Sequence, residues 1–222
     1  MDEVRLIEVK EDILADNKKV AENLRQKLAK DKTFLVNLMA SPGAGKTSLI
    51  LKTIEVLRAD LNIGVIEADI DSKVDSEKVA AQGTYAIQLR TGGFCHVDAT
   101  MVAQCIDAMD LKAFDLILLE NVGNLVCPAE VDSGATLNAM ILSVPEGDDK
   151  PLKYPLMFSI VDVLVVNKID FLELSDFNVD VLRKRALTLN PGIKIFEVSS
   201  QTGQGIEDWA NWLKGKVYAS VK

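Results

Sequence analysis

Eight consecutive residues, Ala40-Ser41-Pro42-Gly43-Ala44-Gly45-Lys46-Thr47, join small and glycine positions to a closing lysine and threonine. Glycines let a backbone turn wrap closely around an anion, so that its N–H groups point inward at phosphate oxygens. Ser41, Gly43, Ala44, Gly45 and Ser48 are the other residues that would line such a cradle. The Lys46 ammonium would reach the β- and γ-phosphates, and the Thr47 hydroxyl would take one position on Mg²⁺. Ala40 stands where the motif usually has its first glycine. The apolar run 34–39 precedes the loop and a helical pattern opens at its end, beginning at Ser48. That context makes the motif meaningful, because the helix N-terminus adds its positive end to the anion site.

A second group selects the base. Asn167-Lys168-Ile169-Asp170 follows the apolar run 160–166, which reads as a buried parallel strand. The Asp170 carboxylate can accept from guanine N1–H and the exocyclic amino group together, whereas adenine offers neither donor at those positions. A site built to pair a polar edge rejects the wrong partner by roughly 10⁴, so GTP is expected rather than ATP. Ser199, Ser200 and Gln201, after a strand at 193–198, are positioned to lend groups to the base.

Magnesium and hydrolysis require carboxylates at strand ends. The run 114–119 leads into Glu120-Asn121-Val122-Gly123, an acid followed by a glycine whose N–H can approach a γ-phosphate. The run 63–68 leads into Asp69, Asp71 and Asp75. Asp69 is the first candidate for Mg²⁺, direct or through water, and Asp75 the second; the plainer role for Asp75 is to cap the next helix. No glutamine or arginine stands out as a catalytic finger, so intrinsic turnover should be slow.

Soft ligands form a third group. Gly92-Gly93-Phe94-Cys95-His96 carries the only histidine, and Cys127-Pro128 lies just beyond Glu120–Gly123. Thiolate and imidazole suit Zn²⁺ or Ni²⁺. Neighbouring side chains on a straight strand point opposite ways, so the glycine pair would have to bend the chain for Cys95 and His96 to share a metal. On spacing alone a buried cysteine and a helix-capping histidine are each commoner than a metal ligand. Three ligands leave a tetrahedral site one short, to be filled by water or by a second chain. Cys105 falls on one helical face with Met101, Val102, Ile106 and Met109 and reads as core.

The elements holding these groups alternate. Strands are expected at 34–39, 63–68, 85–89, 114–119, 139–144, 160–166 and 193–198, and helices at 11–30, 45–58, 75–82, 97–109, 175–189 and 205–217. This describes an α/β chain with a mostly parallel sheet covered by helices on both faces. An amphipathic N-terminal helix in residues 1–30, with Ile13, Leu14, Val20, Leu24 and Leu28 on one side, would pack on a single nucleotide-binding domain, 31–222. The segment 145–151 reads as a loop, and Trp209 and Trp212 as core of the last helix. With 222 residues, 48% of them hydrophobic, and a net charge of −8, nucleic acid is not expected as a partner. No apolar stretch is long enough to span a bilayer. Three cysteines and no export signal at the N-terminus predict reduced thiols in the cytoplasm.

Taken together, Ser41–Thr47, Cys95-His96, Glu120–Pro128, Glu146–Asp149 and Asn167–Asp170 resemble the HypB family, the nickel-insertion GTPases of nickel–iron hydrogenase maturation. The resemblance covers nearly the whole chain, and Glu120–Pro128 is its most specific part. It implies a P-loop GTPase fold of the SIMIBI class, slow hydrolysis of GTP to GDP and a GTP-promoted homodimer. It also implies Ni²⁺ or Zn²⁺ held at the dimer interface by the residues matching Cys95, His96 and Cys127. The implied partners are a HypA-type nickel chaperone and the hydrogenase large-subunit precursor. Neither an N-terminal cysteine-rich nickel motif nor a histidine-rich storage tract is present, and Gln201 replaces the family's lysine in the last base motif. Other readings are the related urease GTPase, whose Cys-Pro-His motif contrasts with Cys127-Pro128-Ala129, a chaperone for a cobalamin-dependent mutase, and a metal-buffering module without functional hydrolysis.

Overall fold

The computed structural model describes residues 9–69 and 74–220. In chain order they form α1 (Val9–Asp31), β1 (Phe34–Ala40), α2 (Lys46–Leu57), β2 (Ile63–Asp69), α3 (Val74–Ala81), β3 (Tyr85–Arg90), α4 (Ala99–Asp107) and β4 (Leu116–Glu120). They continue with α5 (Cys127–Glu130), β5 (Leu137–Ser143), α6 (Lys150–Lys153), α7 (Pro155–Ile160), β6 (Val163–Asn167), α8 (Val179–Leu189), β7 (Lys194–Glu197) and α9 (Ile206–Ser220). All seven strands lie parallel in one sheet, ordered β3-β2-β4-β1-β5-β6-β7.

Burial on both faces explains the uninterrupted apolar strands. Every residue of β1 is buried, and its side chains divide by parity. Val36 and Leu38 pack toward α2 and α9, whereas Leu35 joins α1 and α4 and Met39 joins α7 and α8. The α1 helix presents Ala21, Leu24 and Leu28, one helical stripe, to the core, with Arg25 bonded to Asp132 and to the Ala135 carbonyl. The side chains of Ile13 and Leu14, expected on the same stripe, lie outside the described residues. Cys105 is buried among Val102, Ile106 and Met109 as expected, and burial pushes its thiol pKa up to about 11.

Trp209 anchors α9. It is 1% exposed, and its indole Nε1–H donates to Thr53 Oγ1 on α2 at 2.9 Å. Truncating Trp209 to alanine should cost about 3–5 kcal/mol through the cavity left behind. Thermal unfolding of the nucleotide-free chain should then shift down by about 10 °C; an unchanged midpoint would mean that α9 does not contribute to the cooperative unit.

Several elements differ from expectation: the helix expected from 175 begins at Val179, where Asn178 caps it by accepting from Val181 N at 3.0 Å. The strand expected from 160 begins at Val163, because Pro155 at a helix start launches α7 through Ile160. The segment expected as a loop at 145–151 is ordered into helical turns instead. Ser143 and Glu146 form a capping box, and Arg185 bonds Asp148 at 2.6 Å.

Candidate nucleotide and metal site

The loops at the carboxyl ends of β1, β2, β4 and β6 converge on one crevice, where parallel α/β sheets bind ligands. Its phosphate-side cleft, about 580 Å³, is lined by Gly43, Gly45, Lys46, Thr47 and Ser48, and across from them by Asp69, Glu120 and Gly123. A second cleft of about 380 Å³ is lined by Asn167, Lys168, Asp170, Ser200 and Gln201 and shares Gly45, Ser48 and Lys168 with the first. The candidate phosphate and base clefts are therefore adjoining.

Hydrogen bonds knit the loops. Asn167 Nδ2 donates to the Ala44 carbonyl at 3.0 Å, and Lys168 Nζ donates to the Gly43 carbonyl at 2.8 Å. Asn167 Oδ1 accepts from Ser200 N and Ser200 Oγ at 3.1 and 3.0 Å. The buried Ser199 hydroxyl donates to Asp170 Oδ1 and fixes the carboxylate's orientation. Ser41, Ala44 and Ser199 thus support the clefts and do not line them.

Gly45 is where this knitting demands glycine. Its φ is +97°, and an added Cβ would lie 2.5 Å from Asn167 Nδ2. Gly45→Ala combines a left-handed backbone, about 1–2 kcal/mol, with displacement of Asn167. Affinity for a fluorescent GTP analogue should fall at least about tenfold, with the circular dichroism unchanged. Affinity equal to wild type would show that nucleotide binding does not depend on the contact between Gly45 and Asn167.

The magnesium candidates separate. Thr47 Oγ1 donates to Glu120 Oε1 at 3.0 Å, so a hydroxyl and a buried carboxylate converge as a hard cation requires. Asp69, at the end of β2, faces the same cleft. Asp71 and the Asp75 side chain lie outside the described residues. Gly123 packs on the P-loop, where a Cβ would sit 2.9 Å from Pro42 Cγ.

Glu67, Lys78 and Gln88 also line the phosphate cleft, and Phe171 the base cleft. Strand alternation was the available signal for Glu67, two residues before Asp69. Its register partners are Gln88 on β3 and Glu120 on β4, which put three polar side chains in a row beneath the cleft.

Cys95, His96 and Cys127 come together. One ligand atom of each lies within 4.8 Å of the others, and Cys95 Sγ is 3.8 Å from His96 Nδ1. Gly92 and Gly93 adopt φ of +63° and +99°, so the glycine pair does bend the chain after β3. Thr91 closes that turn through its hydroxyl to the Phe94 carbonyl, and Asp98 caps α4 by accepting from Met101 N at 2.8 Å. Cys127 arrives as the first residue of α5. A hydrogen bond with Cys127 raises the Cys95 thiol pKa, with burial and the neighbouring charge adding to it. Two sulfurs and an imidazole at this separation suit a soft or borderline divalent metal.

A parallel seven-stranded sheet, a P-loop entering α2 and a second loop clasping that P-loop define a P-loop nucleotide-binding protein. Residues 34–197 match the family described as CobW/HypB/UreG, nucleotide-binding domain. The hydrogenase maturation factor HypB of Escherichia coli is 41% identical, over 96% of this chain and 74% of its own. The hydrogenase/urease maturation factor HypB of Helicobacter pylori is 35% identical, over 95% of this chain and 88% of its own. Among solved structures, HypB from Archaeoglobus fulgidus superposes with a TM-score of 0.86 at 39% identity, over 92% of this chain and 100% of that one. HypB from Helicobacter pylori, in complex with nickel, gives 0.88 at 34%, over 93% and 97%. The signal recognition particle receptor FtsY of Elizabethkingia anophelis shares the fold alone, with a TM-score of 0.55 at 13% identity. The chain belongs to the CobW/HypB/UreG nucleotide-binding family and, within it, to the HypB hydrogenase maturation factors.

Proposed function

We propose that this protein is a GTP-hydrolysing nickel metallochaperone whose metal site answers to its nucleotide. The observation that carries the reading is the junction of Cys95, His96 and Cys127, with Cys127 only four residues beyond Gly123 of the phosphate cleft. Nickel is the cargo and Zn²⁺ its competitor for the same three ligands. GTP selects the site through Asp170, and its phosphates lie along Gly43–Ser48 against Lys46. Thr47 and Glu120, with Asp69 beside them, would hold Mg²⁺, which offsets phosphate charge. Asp75 remains a further candidate for that ion.

Loss of the γ-phosphate would release Gly123 from its approach to the nucleotide and loosen the segment leading to Cys127. Three ligands per chain suit a site completed by a second copy, so the proposed carrier is a GTP-promoted homodimer. It works in the cytoplasm with a HypA-type nickel chaperone and the hydrogenase large-subunit precursor, and without nucleic acid. Residues 31–222 act as the nucleotide-binding domain, with the N-terminal helix packed on it. Among the described residues no helix is long and apolar enough to cross a membrane. Delivery to urease as well is a second reading, favoured by the name of the Helicobacter pylori relative, hydrogenase/urease maturation factor.

Phosphate release tests the enzymatic half. Turnover on GTP should be slow, on the order of 10⁻³ s⁻¹, negligible on ATP, and about 10²-fold slower still in Lys46→Ala. Equal release by wild type and Lys46→Ala would leave a metal-buffering module without functional hydrolysis.

A further inference from the structure

The metal segment Cys95–Ala99 is held by asparagines from elsewhere in the chain. Asn124 Nδ2 donates to the Cys95 carbonyl at 3.3 Å. Asn121 Oδ1 accepts from Val97 N at 3.2 Å, and Asn17 Oδ1, on α1, accepts from Ala99 N at 3.0 Å. Asn121 differs from the other two in what else it touches. The same Oδ1 accepts from Val122 N at 2.9 Å, one residue before Gly123. One carbonyl oxygen therefore receives an N–H from the nucleotide loop and an N–H from the metal segment.

Its amide is also fixed on the other side. Asn121 Nδ2 donates to Asn37 Oδ1 at 3.0 Å, and Asn37 Nδ2 donates to Asn138 Oδ1 at 3.1 Å. Both Val97 and Val122 are donors, so only the oxygen of Asn121 can face them, and the direction of the whole chain follows. Asn37 lies on β1, three residues before the P-loop begins, and both it and Asn121 are 1% exposed. Parity along β1 puts Asn37 on the face of Leu35 and Met39, at the seam between the α1–α4 core and the α7–α8 core. A buried and fully connected polar chain of this kind has few alternative arrangements, because any break leaves an amide unpaired. Asn121 thus has two defined ways to respond when Val122–Gly123 moves: carry Val97 with it, or lose a buried hydrogen bond.

We propose that Asn121 is the positioning residue through which the nucleotide loop sets the geometry of the Cys95–His96 metal segment. The proposal rests on the nucleotide-gated nickel reading and names its conduit. Asn121 itself borders the phosphate cleft, but in this role its side-chain amide acts on backbone: it transmits the position of Val122–Gly123 to the backbone beside His96.

The test is Ni²⁺ titration of the full chain, saturated with Mg²⁺ and either GDP or a non-hydrolysable GTP analogue, read as the ratio of the two nickel affinities. Coupling of the usual size would make the wild-type ratio about 5–150-fold. Asn121→Ala should bring it to within about twofold of one. Asn17→Ala, which removes an equivalent bond to the same segment away from the nucleotide loop, should keep the wild-type ratio. By reciprocity the effect of nickel on GTP-analogue affinity must shrink by the same factor, a change that general loosening would not produce. If Asn121→Ala does not fold, Asn37→Ala, which leaves the Val97 bond in place but frees the Asn121 amide, must reduce the ratio. A wild-type ratio of one overturns the nucleotide-gated reading itself. A coupled wild type with an unchanged ratio in the folded Asn121→Ala, or failing that in Asn37→Ala, overturns the role of Asn121 alone, as does an equal collapse in Asn17→Ala.

Discussion

Replacing Asp170 with alanine is expected to weaken GTP binding by about 10⁴-fold. Asp170 lines the base cleft, and its carboxylate is held by the buried Ser199 hydroxyl, so it is oriented before any nucleotide arrives. Guanine would give it two donors at once, and removal leaves both unpaired in a partly closed cleft. The loop itself should survive, because Asn167 keeps its bonds to the Ala44 carbonyl and to Ser200. The fall should therefore be confined to affinity, with thermal unfolding of the nucleotide-free chain little changed. Calorimetric titration of Mg²⁺–GDP checks it, since the base contact is common to both nucleotides. A loss of less than about tenfold would mean that guanine is read by other groups.

Cys127→Ala is expected to lower nickel affinity by more than about 100-fold. Loss of an outer partner that merely orients a metal ligand costs 10–100-fold, and Cys127 would be a ligand itself. The two groups left behind, Cys95 and His96, sit on one turn braced by Thr91 and Asn124, yet they offer only two of the four positions a tetrahedral ion fills. Cys105→Ala serves as the control: its thiol is buried in the α4 core with a pKa of about 11 and should not contribute to nickel binding. Nickel retained in Cys127→Ala and lost in Cys105→Ala would reverse the assignment of the two thiols.

The long elements and the nucleotide signature were legible in the residues because each rests on local physics. Apolar runs predicted parallel strands, and all seven occur; burial on both faces explains the continuous runs of the five inner strands, whereas the edge strands β3 and β7 are only partly buried. Gly43, Gly45, Lys46 and Thr47 could be assigned together because a phosphate cradle is built from consecutive backbone groups. The short pieces were not legible. Helices of four to six residues such as α5, α6 and α7 are too brief to show a period, so Pro128, Pro151 and Pro155 at their starts, and the Ser143–Glu146 capping box just before α6, were the signals available.

The Cys95–His96–Cys127 cluster and the asparagine chain mark the limit of what the sequence alone makes legible. Cys95 and Cys127 belong to loops after β3 and β4, strands that do not neighbour each other, since β2 lies between them. Only the bend at Gly92–Gly93 and the entry into α5 bring the ligands together, and spacing encodes neither. Asn37, Asn121 and Asn138 look like isolated polar residues in or beside apolar strands. The parallel register, which sets Asn37 opposite Asn138, gives them a common purpose.

The most direct test of the account is bound nickel per chain, measured with mass in solution on the same samples, in protein loaded with Mg²⁺ and a non-hydrolysable GTP analogue and in a GDP-loaded control. A dimer in the GTP-analogue sample, with nickel affinity or stoichiometry different from that of the GDP sample, is the predicted result. Equal nickel binding in both samples, at any level, would contradict nucleotide control of the Cys95–His96–Cys127 site and leave a nucleotide-binding protein whose metal ligands act independently of it.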